Sequence, residues 1–136
     1  RLFKHVNLGN YVAILSWLEE TDEIYEKLVA ISNRVRESLG VPVTLGFGPR
    51  YLHSTGQLHK GDSNTGIFLQ IYSEPENNQT IPTWKHGFSD LHKAQADADL
   101  VVLSDLGRRL LRIDVQTSVI SGLTKLDEVI NYALSH

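Results

Sequence analysis

Hydrophobic and polar positions change period several times along the chain, and each change marks an element. Tyr11 to Leu18 (YVAILSWL) is apolar almost throughout and lies between Gly9-Asn10 and a carboxylate run, the pattern of a strand covered on both faces. From Thr21 to Leu39, the apolar residues Ile24, Leu28, Ile31, Val35 and Leu39 recur at helical spacing, with Thr21 placed to cap the start and Gly40 to end it. Val41 to Phe47 alternates and is β-branched, so it predicts a second strand, with Pro42 confined to its start or to a sheet edge. Gly66 to Tyr72 (GIFLQIY) predicts a third strand, and the Pro-, Asn- and Gln-rich stretch Ser73 to Gly87 predicts a long surface loop.

Phe88, Leu91, Ala94, Gln95 and Ala98 mark one face of a helix running to Leu106 and stopped at Gly107, and Leu110 to Val115 reads as a strand. A closing helix is predicted over Leu123 to Leu134, with Leu123, Leu126, Val129, Ile130, Ala133 and Leu134 on one stripe, Thr124 near its start, and Asp127-Glu128 close enough to that start to favour the helix dipole. Strands alternating with helices predict a single α/β domain over residues 1–136. Its expected form is a three-layer α/β/α sandwich around a mainly parallel sheet, without internal repeat.

Composition narrows the function classes. With 41% hydrophobic and 21% charged residues, the chain is ordinary for a globular domain, and no stretch approaches the roughly 18 consecutive apolar residues of a membrane span. A formal charge of −3 with interspersed signs offers no basic stripe, so neither nucleic acid nor membrane is an expected partner. The absence of cysteine removes disulfides and thiol chemistry and favours the cytoplasm. Arg1-Leu-Phe-Lys carries neither an initiator methionine nor a signal peptide, which predicts that the chain is a piece of a larger protein.

Candidate chemistry concentrates beyond the expected strand ends, where open α/β sheets bind ligands. The segment Gly46 to Gly61 carries Arg50, His53, Ser54, Thr55, Gln57, His59 and Lys60: anion donors together with groups that titrate near neutral pH. An ordinary polar surface helix fits the same residues. Tyr51 stands where a G-x-G-x-x-G motif needs its third glycine, no phosphate-binding P-loop exists, and His53 and His59 are six apart rather than at the i, i+4 spacing of two zinc ligands on one helix. No metal and no organic cofactor is expected. Asp90, His92 and Lys93 form a second candidate group, for which a solvated helical face is the plain alternative.

One resemblance adds to these readings. GPRYLHSTGQLHKGDSNTGIFLQI closely resembles the C-terminal sugar isomerase (SIS) domain of bacterial glucose-6-phosphate isomerases, particularly the form fused behind a transaldolase, with Asp62 in place of the second glycine of a pair. The likeness continues through FSDLHKAQADAD and GRRLLRIDV, covering Tyr11 to about Val115. It implies a glucose 6-phosphate–fructose 6-phosphate isomerase in which His53 is the ring-opening acid or base and Lys93 acts near the ring oxygen. Arg50, Ser54 and Gln57 are then expected to contact the phosphosugar, although no defined family role matches Arg50 or Gln57.

In that family, the carboxylate that moves the C2 proton and the arginine that steadies the enediolate come from sequence before this domain, so the isolated chain is expected to be inactive. The resemblance also implies a homodimer whose ring-opening histidine can serve a neighbouring subunit. Ser89-Asp90-Leu91-His92 lacks the glutamine that touches phosphate in eukaryotic-type isomerases, so it implies no phosphate contact from this helix. Two alternatives stay open: a phosphosugar-binding regulatory SIS domain without chemistry, and a purely structural dimerisation domain.

Overall fold

The Tyr11–Leu18 run becomes the central strand β1 (Tyr11–Trp17), and every residue from Val12 to Trp17 is buried. In the computed structural model, which describes residues 2–61, 63–74, 87–116 and 118–136, β1 is followed by α1 (Asp22–Leu39), β2 (Val43–Phe47), a 3-10 turn (Arg50–His53) and α2 (Thr55–Gly61). Next come β3 (Gly66–Tyr72), α3 (Phe88–Asp105), β4 (Arg109–Asp114) and α4 (Val119–Ser135). The four strands pair in the order β2-β1-β3-β4, all parallel. Helices cover both faces, giving the expected α/β/α sandwich.

Local chemistry explains the element ends. Thr21 Oγ1 accepts the Ile24 N–H at 3.2 Å to open α1, and Gly40 closes it at φ 68°, a left-handed conformation that glycine adopts without steric cost. Pro42 immediately precedes β2, which is an edge strand, so its missing N–H costs no ladder bond.

One core lies between the sheet and α1 with α4, built on Val12, Ile14, Leu28, Ile31, Ile67, Leu69, Leu123 and Ile130. The opposite face packs Ala13, Leu15, Trp17, Phe68 and Tyr72 against Tyr51 and against Ala96 and Leu103 of α3. Most of the loop predicted over Ser73 to Gly87, residues 75–86, lies outside the described residues, as does Asp62.

Two helices depart from the sequence reading. The closing helix starts at Val119 rather than near Leu123. Asp127 is therefore well inside it and pairs with Arg34 of α1 (Nε to Oδ1 2.8 Å) instead of meeting the helix dipole. Leu123, Leu126 and Ile130 are buried as expected, but Val129 and Ala133 face outward.

In α3, Ala94 and Ala98 are exposed. The stripe turned to the sheet is Ser89, Ala96, Asp99 and Leu103, with His92 half-buried beside it. Ala94 and Ala98 of the predicted apolar face are thus turned outward, and on the inner face His92 and Asp99 find partners in the Trp17 carbonyl and the Tyr51 hydroxyl.

Gly122 gives a sharp test of packing near the start of α4. Alanine normally stabilises a helical position by about 1 kcal/mol relative to glycine. Here an added Cβ would lie 2.7 Å from the Val115 carbonyl oxygen, a backbone atom that cannot swing aside. Gly122→Ala is expected to lower stability by about 1–3 kcal/mol in denaturant titration; a stabilised variant would show that this contact yields freely.

Candidate functional site

The strand order reverses between β1 and β3, so the crevice favoured for ligands lies at their carboxyl ends, where Trp17 and Tyr72 are register partners. The segment between β2 and β3 folds beside this position. Three glycines, one at the end of β2 and two beyond it, pack closely against Trp17 and Tyr51. An added Cβ at Gly48 would lie 2.4 Å from the Trp17 indole, one at Gly46 2.9 Å from Tyr51 Cβ, and one at Gly56 2.9 Å from the Tyr51 carbonyl oxygen. The glycine-rich stretch is therefore a seat for Trp17 and Tyr51.

Trp17 Nε1 donates to Tyr51 Oη at 2.9 Å, and the Tyr51 hydroxyl donates to Asp99 Oδ2 of α3. Burial, then the charge of Asp99 and its hydrogen bond, push the Tyr51 hydroxyl far above its ordinary pKa, so it stays protonated and remains a donor. Lys60 Nζ, near the end of α2, lies 3.1 Å from Asp99 Oδ1, an ion pair without hydrogen-bond alignment. Gln70 of β3 extends the buried polar layer by donating to the Ala96 carbonyl at 3.0 Å. The other end of the segment is fixed as well. His59 is 2% exposed, 2.9 Å from Tyr11 Oη and edge-on to Phe68, while Arg108 donates to the His59 and Lys60 carbonyls. His59 and Lys60, grouped by sequence with possible anion donors, are engaged within the fold.

His53 ends the 3-10 turn and is exposed. Ser54 follows it, with its hydroxyl 3.4 Å from the Tyr51 carbonyl. Arg50 opens the turn and forms an exposed ion pair with Glu20, just beyond β1, so its guanidinium already has a carboxylate partner. Gln57 lies in α2, and its side chain falls outside the described set.

Lys93, in the second turn of α3, is exposed and bonds Asp97 Oδ2 at 2.7 Å. That hydrogen bond, with the carboxylate's charge, raises its pKa and holds it as a cation. Asp97 also accepts from Arg112 of β4, whose guanidinium sits 4.4 Å from the centre of the Tyr72 ring. Although desolvation pushes the Asp97 carboxyl upward, its hydrogen bonds to Lys93 and Arg112 hold it below its ordinary value. Among the described residues, no hydrogen bond or ion pair joins His53 to Lys93.

Asp90 has a structural part, accepting the Gly87 N–H at 3.0 Å at the start of α3. His92 is half-buried between the Trp17 and Tyr72 rings, with ring centroids 5.5 Å from each. Its Nε2 lies 2.8 Å from the Trp17 carbonyl oxygen, tying α3 to the end of β1. Desolvation lowers the His92 pKa in spite of backbone hydrogen bonds to Trp17 and Ser73. A histidine whose folded pKa lies below its unfolded value contributes full stability above about pH 6.5 and loses it as the pH falls toward the folded value. The midpoint of thermal unfolding is therefore expected to fall between pH 7.5 and pH 5.5, less steeply in His92→Gln. Parallel curves for the two proteins would remove His92 as the source.

Sequence reasoning missed Tyr51, Asp99 and Trp17. The available signal was polar residues at 89, 92 and 99, which share the inward face of α3 with Ala96 and Leu103.

No family model and no curated protein matches the chain. Among solved structures, the fold is similar to that of the hypothetical protein TT0462 from Thermus thermophilus, with a TM-score of 0.75 and 15% sequence identity. The match covers 98% of this chain and 36% of that one, so the chain spans about a third of the matched protein's length. This similarity shows a shared fold. Among the described residues, no helix is long and apolar enough to cross a membrane, and no group of three or more His, Cys, Asp or Glu residues is arranged to hold a metal ion.

Proposed function

We propose that this chain is the C-terminal SIS domain of a cytoplasmic phosphosugar isomerase interconverting glucose 6-phosphate and fructose 6-phosphate, alone or behind a transaldolase. The observation that carries the reading is an exposed histidine, His53, on a turn braced from within by Tyr51 and Asp99 beside the carboxyl ends of a parallel sheet. An acid–base group needs access to its substrate and a fixed position, and this arrangement supplies both. The motif around His53 points to the same chemistry.

Ring opening removes the proton from the anomeric hydroxyl and delivers one to the ring oxygen. His53 takes the acid–base part, and Lys93, held protonated by Asp97, stabilises negative charge developing on oxygen. Aldose–ketose exchange then moves a proton from C2 to C1 through an enediolate. In this reading the carboxylate for that step comes from sequence upstream of this domain, and the chain by itself is expected to be inactive. On the same reading Arg50, Ser54 and Gln57 contact the phosphosugar, with Arg50 exchanging its Glu20 partner for phosphate. The reaction uses no metal or organic cofactor.

The test is isomerase activity of the longer protein on fructose 6-phosphate, with His53→Ala and Lys93→Ala assayed beside it. Each variant is expected to lose about 100-fold or more in turnover. A longer protein that binds the sugar phosphate without turning it over would replace this reading with a regulatory phosphosugar-binding domain.

A further inference from the structure

A four-residue 3-10 turn has little stability of its own, because its hydrogen-bond geometry is poor and it is too short for cooperative support. At its two ends the turn that carries His53 is closed by Leu52 N to Pro49 O at 3.0 Å and Ser54 N to Tyr51 O at 3.1 Å. What ties this turn to the sheet and to α3 is Tyr51, two residues before His53. The Tyr51 ring is 3% exposed and seated against Gly46 and Gly56, while its hydroxyl links Trp17 of β1 to Asp99 of α3.

Asp99 reaches both ends of the 50–61 segment, the turn through Tyr51 and the end of α2 through Lys60. It also belongs to the helix that carries Lys93. One carboxylate thus sets the His53 segment against the Lys93 helix. Apolar residues of similar volume often stabilise a core as well as a buried ion pair does, so stability alone gives little reason for a carboxylate at 3% exposure here.

We propose that Tyr51 and Asp99 are positioning residues that fix His53 relative to Lys93 for proton transfer, an inference that rests on the isomerase reading. Neither group touches substrate; each acts through the turn.

The experiment is a double-mutant cycle in the full-length protein, assayed on fructose 6-phosphate. Tyr51→Phe keeps the ring in its seat and removes only the hydroxyl. It is expected to lower kcat about tenfold or more with KM unchanged, and to cause no further loss in a His53→Ala background, since a group acting through His53 has nothing left to position. Asp99→Asn, which keeps an acceptor for the hydroxyl, is expected to retain more activity than Asp99→Ala.

Hydrogen exchange on the same protein supplies a readout independent of turnover. Amides of residues 50–61 are expected to exchange faster in Tyr51→Phe, with those of β1 and β3 unchanged. Additive losses in the cycle, or uniform acceleration of exchange, would overturn the positioning role while leaving the isomerase reading intact. Full activity in His53→Ala would overturn the isomerase reading itself, and the positioning role with it.

Discussion

Trp17→Ala is expected to lower the free energy of unfolding by about 3–5 kcal/mol, the range for deleting a large buried aromatic side chain. The indole is fully buried at the end of the central strand. It meets Tyr51 and His92 edge-on, with ring centroids 5.8 and 5.5 Å away, and Gly48 sits directly against it. Alanine leaves a cavity that these neighbours fill poorly, because Tyr51 is tied to Asp99 and His92 to the Trp17 backbone. Against a typical stability of about 5–15 kcal/mol, the loss places the variant near its folding threshold. Trp17→Phe keeps a ring and removes the donor along with its bond, so a smaller cost is expected. Denaturant midpoints measure both, and an alanine variant within about 1 kcal/mol of wild type would show that the aromatic layer does not hold this end of the sheet together.

Asp99→Ala is expected to cost about 2–3 kcal/mol. Removing an acceptor that serves a buried hydroxyl forfeits a charge-assisted hydrogen bond of about 1.5–3 kcal/mol and leaves the Tyr51 hydroxyl without its acceptor. Breaking a fully buried ion pair costs about 3–5 kcal/mol, but the Lys60 side chain is 29% exposed and can turn to water, which reduces that part. Asp99→Asn keeps an acceptor for Tyr51 and is expected to lose about half as much. Equal losses in the two variants would locate the effect in the charge pairing with Lys60, and no loss in either would show that the carboxylate does not hold the two layers together.

The resemblance around residues 48–71 and the structure bear on different matters. Sequence singled out His53, Lys93, Arg50, Ser54 and Gln57 as substrate-facing. The fold leaves His53 exposed, engages Arg50 with Glu20 and Lys93 with Asp97, and turns His59 inward. The phosphosugar remains part of the proposal, and the homodimer an expectation of the resemblance.

Where a signal was local, the sequence determined the outcome by itself. A continuous apolar run can only be covered on both faces, so β1 and β3 were legible to within a residue or so. The Ile24-Leu28-Ile31-Val35 spacing between a threonine cap and Gly40 fixed α1, because capping and periodicity act within a few residues. Alternation of strands and helices fixed the parallel class.

Only the tertiary structure decided what depends on partners far along the chain. Asp127 reads as a helix-start residue from sequence alone, yet it lies well inside α4 and pairs with Arg34, 93 residues away. The inner face of α3 was hidden because Asp99 and His92 look like solvated residues until Tyr51 and Trp17 are brought to them from across the sheet. Burial of a polar group becomes acceptable only when a partner meets its hydrogen-bonding need, and that partner is supplied by topology rather than by neighbours in sequence.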